Sequence, residues 1–438
     1  SRAAIATGMY PHNTGVLGLA HAHFGWSLDK KINHIAKYFS KNGYNSILFG
    51  LQHVTYYEKT LGFNKIFPER PADEVIKNIT KNIDNKIFKK PFYAEINFFE
   101  PHRPFDYGGV KPDKSKGVYI PKYIPNNLYS QKEFAEMQGA IKKMDDSVLK
   151  IINLLKKNNL YKNTIIVFTT DHGIPFPRAK GTLYDAGIET CLIISYPKLN
   201  FKNKKFNELI TNIDILPTLL DFAKIKIPKE IQGKSFYPLI LNKKYSENNE
   251  IFAEKNYHDL FDPIRCIRNK NFKLIINFDS DKIIRVPGDI MMGGTYKTML
   301  DQTINVRERF ELYDINKDKF ERKNLANIKK YKSVKRKLLR KIVKWMKSTK
   351  DPLLKNQIQT SWEMNTMTKL RGDHFEWLAK DIVKLIKPNK IDDFVREVKH
   401  YAKNNRFQES RFRDACAITL QTQQYDDGLA PKLYQGRY

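Results

Sequence analysis

Cysteine is scarce in these 438 residues, with Cys191, Cys266 and Cys416 the whole supply. Three cysteines at wide, irregular spacing, with no Cys-x-x-Cys pair, speak against a disulfide framework and a structural zinc site, although one bridge stays open. No run of about 18 apolar residues occurs, which excludes an ordinary membrane-spanning helix. Internal repeats and low-complexity tracts are missing too. So is an initiating Met: the chain opens Ser1-Arg2-Ala3-Ala4 and runs at once into Gly8, Pro11 and Gly15. The first element is therefore expected to be cut, and a leader could have gone with it. Acidic residues are in deficit, Lys plus Arg exceeding Asp plus Glu by 77 − 47 = 30. Such a surface attracts nucleic acid, anionic lipid or sulfated polysaccharide. The lysines are spread along the whole chain, so a Lys/Asn/Ile-rich compositional drift explains the excess equally well.

What is present suits a globular protein. Apolar residues make up 41 %, too many for disorder as the default. The length suits a large α/β domain with one or two smaller ones. Short β-rich runs occur at Tyr44 to Gly50, Pro91 to Phe99, Lys162 to Thr170 and Thr190 to Ser195. Between them lie helical patterns, Lys31 to Asn42 and Gln131 to Asn158. The second is expected to set Phe134, Ile141, Met144, Val148, Ile151 and Leu155 near one face. Strands alternating with helices predict a largely parallel central sheet flanked by helices. Chemistry on such sheets sits at the carboxyl ends of strands. After about Asp262 the pattern changes. Cys266 to Phe278 and Arg309 to Ile315 read as antiparallel strands. A basic helix follows with Val334, Leu338, Leu339, Ile342, Val343 and Met346 inward.

Three local signals carry chemistry. Thr170-Asp171-His172-Gly173 ends an apolar strand in a carboxylate and an imidazole, which can ligate a hard cation. On spacing alone an Asp capping the next turn reads equally well. Glu100-Pro101-His102-Arg103-Pro104 holds a His between prolines, suited to a general acid or an anion contact; a satisfied loop His is the commoner outcome. Lys180 follows the Pro175 to Pro177 turn and is placed to return its ammonium toward Asp171.

Together with Ser1-Arg2-Ala3-Ala4-Ile5-Ala6-Thr7-Gly8, these signals resemble the formylglycine-dependent sulfatase family, of the alkaline-phosphatase-like superfamily. The opening run is similar to the second half of that family's maturation motif, Cys-or-Ser-x-Pro-Ser-Arg-x-x-x-x-Thr-Gly. Glu311-Leu312-Tyr313-Asp314, with Asn324-Leu325-Ala326 behind it, resembles a stretch of the family's C-terminal subdomain. The resemblance covers residues 1 to about 352 in order. It implies an alkaline-phosphatase-like α/β fold with a smaller α+β subdomain. Within the family, Asp171 to Pro177 with Lys180, Tyr123 to Asn126 and His258 ahead of Pro263-Ile264-Arg265 resemble the heparan N-sulfatase (sulfamidase) branch.

The resemblance implies hydrolysis of sulfate esters or sulfamates, best matched by N-sulfoglucosamine of heparan-like glycosaminoglycans. Asp171 and His172 would be metal ligands, for Ca²⁺ first and Mg²⁺ as the alternative. Arg2 would hold the formylglycine hydroxyl, Lys180 and His53 would bind sulfate oxygens, His102 would meet the leaving atom, and His258 would touch substrate. The family's Gly-Lys-x-His here reads Gly50-Leu51-Gln52-His53, with Leu51 in the lysine's place. The formylglycine precursor and the remaining aspartate ligands would precede Ser1, so these 438 residues alone are expected to be inactive. Domains are expected at 1–262, 263–352 and, as a helical extension starting near Met367, 367–438. The expected partner is a sulfated polysaccharide or smaller sulfated compound, with no specific nucleic acid and no membrane. The expected location is periplasmic, secreted or lysosomal, and Asn78-Ile79-Thr80 is a glycosylation sequon only in a secreted protein. Two rival readings are a phosphomonoesterase or phosphodiesterase of the same superfamily and a non-catalytic polyanion-binding relative.

Overall fold

The computed structural model describes residues 1–354 except 21–25, 56, 84–87, 89–90, 200–202, 259–260, 279–283 and 300–306. The expected extension over 367–438, with Cys416, lies outside the described residues. The first half runs α1 (Arg2–Thr7), α2 (Ile35–Lys41), β1 (Asn45–Gly50), β2 (Lys65–Phe67), α3 (Ala72–Asn82), β3 (Phe92–Asn97) and α4 (Leu128–Lys157). Next come β4 (Ile166–Thr169), α5 (Asp185–Ile188), β5 (Leu192–Ser195), α6 (Ile215–Phe222) and α7 (Tyr237–Ile240). The last part holds β6 (Ile251–Tyr257), β7 (Phe261–Arg268), β8 (Phe272–Asn277), α8 (Gly288–Met291), α9 (Gly294–Lys297), β9 (Phe310–Asp314) and α10 (Lys332–Ser348).

β2, β1 and β3 pair in parallel in that order. Alternate residues of these strands serve opposite layers, as the period of two requires. Ile47 and Phe49 pack with Val75 and Ile79 of α3 and Leu155 of α4. On the other face Tyr93 meets Phe39 of α2, in a cluster shared with Leu216 and Leu220 of α6. Helices therefore cover both faces, as expected. The expected strands do not all join one parallel sheet: β4 and β5 form a separate antiparallel pair. The connection between them (170–191) contains only the four-residue α5, too little for the crossover helix that a parallel return needs.

α4 begins in a capping box, Asn127 accepting from the Ser130 backbone N–H while the Ser130 hydroxyl accepts from Asn127 N–H, which satisfies two amides left orphaned at a helix start. Its buried residues are Phe134, Ala135, Met137, Gly139, Ala140 and Leu155 among others. Ile141, expected inward, is 38 % exposed. Gly139 has backbone pressed on it, a Cβ there lying 2.0 Å from Lys111 O, and this contact sets which face turns inward.

β6 to β9 form an antiparallel sheet in sequence order. It opens at Ile251, ahead of the boundary expected at 263. α10 covers one face: Leu338, Ile342, Trp345 and Met346 are buried against Ile267, Leu274, Ile276 and Leu312, with Val334, Leu339 and Val343 partly buried beside them. Trp345 was not among the expected inward residues. Cys191 and Cys266 are both free thiols.

Candidate functional site

Most of the expected residues reach the site from segments that follow strands. Asp171 and His172 follow β4, where the chain must turn under a neighbouring strand of backbone. A Cβ on Gly173 would sit 1.8 Å from Ala186 O, so only glycine lets the turn close. His172 Nδ1 lies 2.7 Å from Gly173 O. Nδ1 therefore carries the proton and Nε2 is the free donor atom, the form a metal ligand takes. Asp171 Oδ1 is 3.6 Å from that Nε2, and Asp171 Oδ2 is 3.2 Å from Arg2 Nε. Burial alone would raise the Asp171 pKa, but the Arg2 guanidinium and His172 outweigh it and hold the carboxyl well below its ordinary value. Burial moves the His172 imidazole the other way, toward neutrality, against the pull of Asp171. A neutral imidazole and a carboxylate facing one point fit two ligands of one divalent cation.

Arg2 enters on α1, which is closed by Thr7 Oγ1 donating to Ala3 O at 2.7 Å and by left-handed Gly8 at its end. His53 leaves β1 through Gly50, whose φ is 91° and whose Cβ would meet Asn97 O at 1.8 Å. Gln52 then ties the turn to Val54 N and Thr55 O. His258 follows β6 directly.

His102 follows β3 within a segment whose Glu100-Pro101 and Arg103-Pro104 bonds are both cis. Its Nδ1 is 2.5 Å from Arg103 O and its Nε2 3.3 Å from Lys180 Nζ. Burial, then the Lys180 charge, lowers its pKa to about 4, so the ring is neutral at pH 7. Lys180 was expected to turn toward Asp171. Its ammonium, 4 % exposed, instead donates to Asp289 Oδ2 at 2.8 Å. A buried ammonium needs a counter-charge at contact distance, and Asp289 supplies it. For Asp289 burial opposes ionisation, yet Lys180 and then His102 hold its pKa well below the ordinary value.

Asp289 was missed from the sequence. It stands on the four-residue α8, 109 residues from Lys180, with no strand or periodic pattern to announce it. The loops that bring it in are tied by Arg103. The guanidinium lies 4.6 Å from the Phe105 ring and 4.7 Å from that of Phe176, donates to Pro175 O at 2.9 Å and pairs with Glu133 at 3.0 Å. The other Glu133 oxygen accepts from Gly294 N at 2.6 Å.

Arg2, His53, His102, Asp171, His172, Lys180, His258 and Asp289 line one cavity of about 1090 Å³. The structure thus brings together all seven residues read from the sequence. Leu51, the departure from the family's lysine, lines it as well. Among the described residues, three ligand-type side chains converge at His12, Glu254 and Asp351. Arg265 sits against both carboxylates there, 2.5 Å from Asp351 and 3.5 Å from Glu254, so that cluster already holds its own cation.

A carboxylate–imidazole pole beside fixed cations suits a tetrahedral oxyanion bound together with a divalent metal, and places the protein in the class of hydrolases acting on sulfate- or phosphate-type anions. The sulfatase profile matches residues 1–225, and the profile described as N-sulphoglucosamine sulphohydrolase, C-terminal, matches residues 176–286. The chain belongs to the sulfatase family, whose members hydrolyse sulfate esters or sulfamates and generally use a divalent metal with a formylglycine.

Among similar proteins, an ulvan-active sulfatase of Formosa agariphila is 29 % identical over 374 residues, covering 82 % of this chain and 72 % of that one. The N-sulphoglucosamine sulphohydrolase of Homo sapiens is 24 % identical over 409 residues, covering 80 % and 81 %. The solved structure of a 2-O GAG sulfatase aligns with a TM-score of 0.62 at 22 % identity, covering 82 % and 84 %. A phosphonate monoester hydrolase from Silicibacter pomeroyi shares the fold with a TM-score of 0.57 at 17 % identity, covering 80 % and 85 %.

Proposed function

We propose that this sulfatase cleaves the N-sulfate of glucosamine in heparan-like glycosaminoglycans. The observation that carries the reading is the match of residues 176–286 to the N-sulphoglucosamine sulphohydrolase C-terminal profile, a stretch that takes in both Lys180 and His258. The similarity to the human N-sulphoglucosamine sulphohydrolase over 80 % of the chain supports it. A divalent cation at Asp171 and His172, Ca²⁺ on this reading, would draw charge from the sulfate oxygens, and a formylglycine preceding Ser1 would supply the nucleophile.

The chain's own residues do the rest. Arg2, 3.2 Å from Asp171, orients the nucleophile beside the metal ligands. Lys180, His53 and His258 meet sulfate oxygens, where the Lys180 charge and fixed hydrogen-bond donors stabilise the charge of the transition state. His102 Nε2 faces the leaving nitrogen. Because the ring is neutral at pH 7, the proton nearest to that atom is on the Lys180 ammonium, 3.3 Å away. The excess of 30 positive charges raises the encounter rate with a polyanionic chain. Export to a periplasmic, secreted or lysosomal compartment belongs to the same reading.

The test is sulfate release, followed by ion chromatography, using protein purified from its source organism. N-sulfoglucosamine is compared with glucosamine 6-sulfate and a uronic acid 2-sulfate. Faster turnover of the sulfamate is expected; equal or faster release from either ester would refute the N-sulfate assignment while leaving the sulfatase class intact.

A further inference from the structure

We propose that Asp289 is a specificity residue that accepts a hydrogen bond from a donor next to the scissile sulfate, the hydroxyl on the neighbouring sugar carbon, so that the site selects sugar sulfates over sulfates without such a donor. The inference rests on the reading of a sulfated sugar as substrate. A carboxylate inside a sulfate pocket needs a reason, since like charge repels the ligand the site must bind. Asp289 lines the same cavity as Arg2, His102 and Lys180, and its side chain is 13 % exposed. Serving as counter-ion to Lys180 is reason enough only while the site is empty, because the incoming sulfate brings that charge itself.

The geometry leaves room for a second task. The contacts of the carboxylate with Lys180 and His102 both run through Oδ2, 2.8 Å to Lys180 Nζ and 4.0 Å to His102 Nε2. Among the described residues the ion pairs of this carboxylate all use Oδ2, and Oδ1 is open to a donor in the cavity. The carboxylate is also held in place from both sides. Pro287, two residues before it, lies against Gly181, where a Cβ would be 2.9 Å from Pro287 Cγ. Gly294, five residues after it, is bonded to Glu133. A fixed acceptor in contact with the sulfate-binding ammonium reaches only groups a few bonds from the sulfate, such as the hydroxyl on the next sugar carbon. A buried acceptor placed this way also rejects substrates that leave it unpaired.

Binding calorimetry on the full chain loaded with Ca²⁺ tests this without turnover. The probes are the methyl glycoside of N-sulfoglucosamine, whose C3 hydroxyl is the one hydroxyl next to the sulfamate carbon, and its 3-deoxy analogue. The native protein is expected to favour the hydroxylated sugar by roughly 10- to 100-fold, the size of one hydrogen bond to a charged acceptor. Asp289→Ala should bring the two sugars within about threefold, and Asp289→Asn, which keeps the shape, should fall between the two. Native protein that binds both sugars equally, or a preference that survives in both variants, overturns the assignment. If the native protein binds neither sugar while it still binds inorganic sulfate, the sugar-sulfate reading beneath it falls instead.

Discussion

The charge network where the segment after α1 meets the antiparallel sheet gives a sharp prediction. Arg265 is fully buried and forks onto Asp351, Nε to Oδ2 at 2.5 Å and Nη2 to Oδ1 at 2.8 Å. Burial works against the Asp351 carboxylate, and the Arg265 guanidinium more than compensates, lowering its pKa. Glu254 stands 3.5 Å from the same guanidinium and takes both His12 N–H, at 2.7 Å, and His12 Nδ1, at 2.5 Å. The segment after α1, the strands β6 and β7, and the residue beyond α10 thus share one charge network. Asp351→Ala takes the forked partner from a buried guanidinium and leaves it Glu254 alone as counter-charge, a loss of up to about 3–5 kcal/mol. At roughly 2.1 cal/mol/K per residue, a folded unit of about 350 residues has an unfolding entropy near 0.7 kcal/mol/K. The melting temperature should therefore fall by up to about 4–7 °C in scanning calorimetry. The double variant Arg265→Met, Asp351→Leu removes that pair but leaves buried Glu254 with His12 in place of its guanidinium, so it should recover only part of that loss. A fall of less than about 1 °C in the single variant, or an equal fall in the double, would refute the uncompensated-charge account.

Two predictions concern titration. Selective histidine labelling should show the His102 ring titrating near pH 4, and a midpoint near 6.5 would mean that the ring is neither buried nor faced by Lys180. Asp214 accepts from Thr211 N and Lys234 N, and burial still raises its pKa to about 6. A raised folded pKa stabilises below the unfolded value, and that contribution is lost as pH rises through about 6. Asp214→Asn should therefore compare better with the native protein at pH 7.5 than at pH 5 by thermal melting; a gap independent of pH would count against it.

Much of this was legible in sequence. Asp171 and His102 each directly follow a β-rich run, and those runs are β4 and β3. The carboxyl ends of α/β strands are where the backbone leaves the sheet and side chains meet solvent, so the strand signal and the site signal are adjacent in the text. The misses have a common physical cause. Asp289 reaches the site through a contact 109 residues long, and no local pattern encodes a long-range ion pair. The direction of Lys180 was misread for the same reason, since its true partner was invisible. Ile141 fits a helical period, but the close backbone approach at Gly139 turns that part of α4 outward. The pairing of β4 with β5 depends on the short connection between them, which strand propensity does not report.

Arg103 suggests how the site holds its shape. His102, Lys180 and Asp289 lie within 4 Å of one another, yet each comes from a different loop, and loops are the mobile part of a fold. One guanidinium resolves this. Stacked against Phe105 and Phe176, it bonds to the loop before Lys180 through Pro175 O, and through Glu133 to the Gly294 amide beyond Asp289. Arg103 itself adjoins His102. Only a planar group with several fixed donors can stack and bond in three directions at once, which a lysine cannot do. The residue that sequence reading passed over, as the neighbour of the interesting histidine, is the one that keeps the cationic half of the pocket in register.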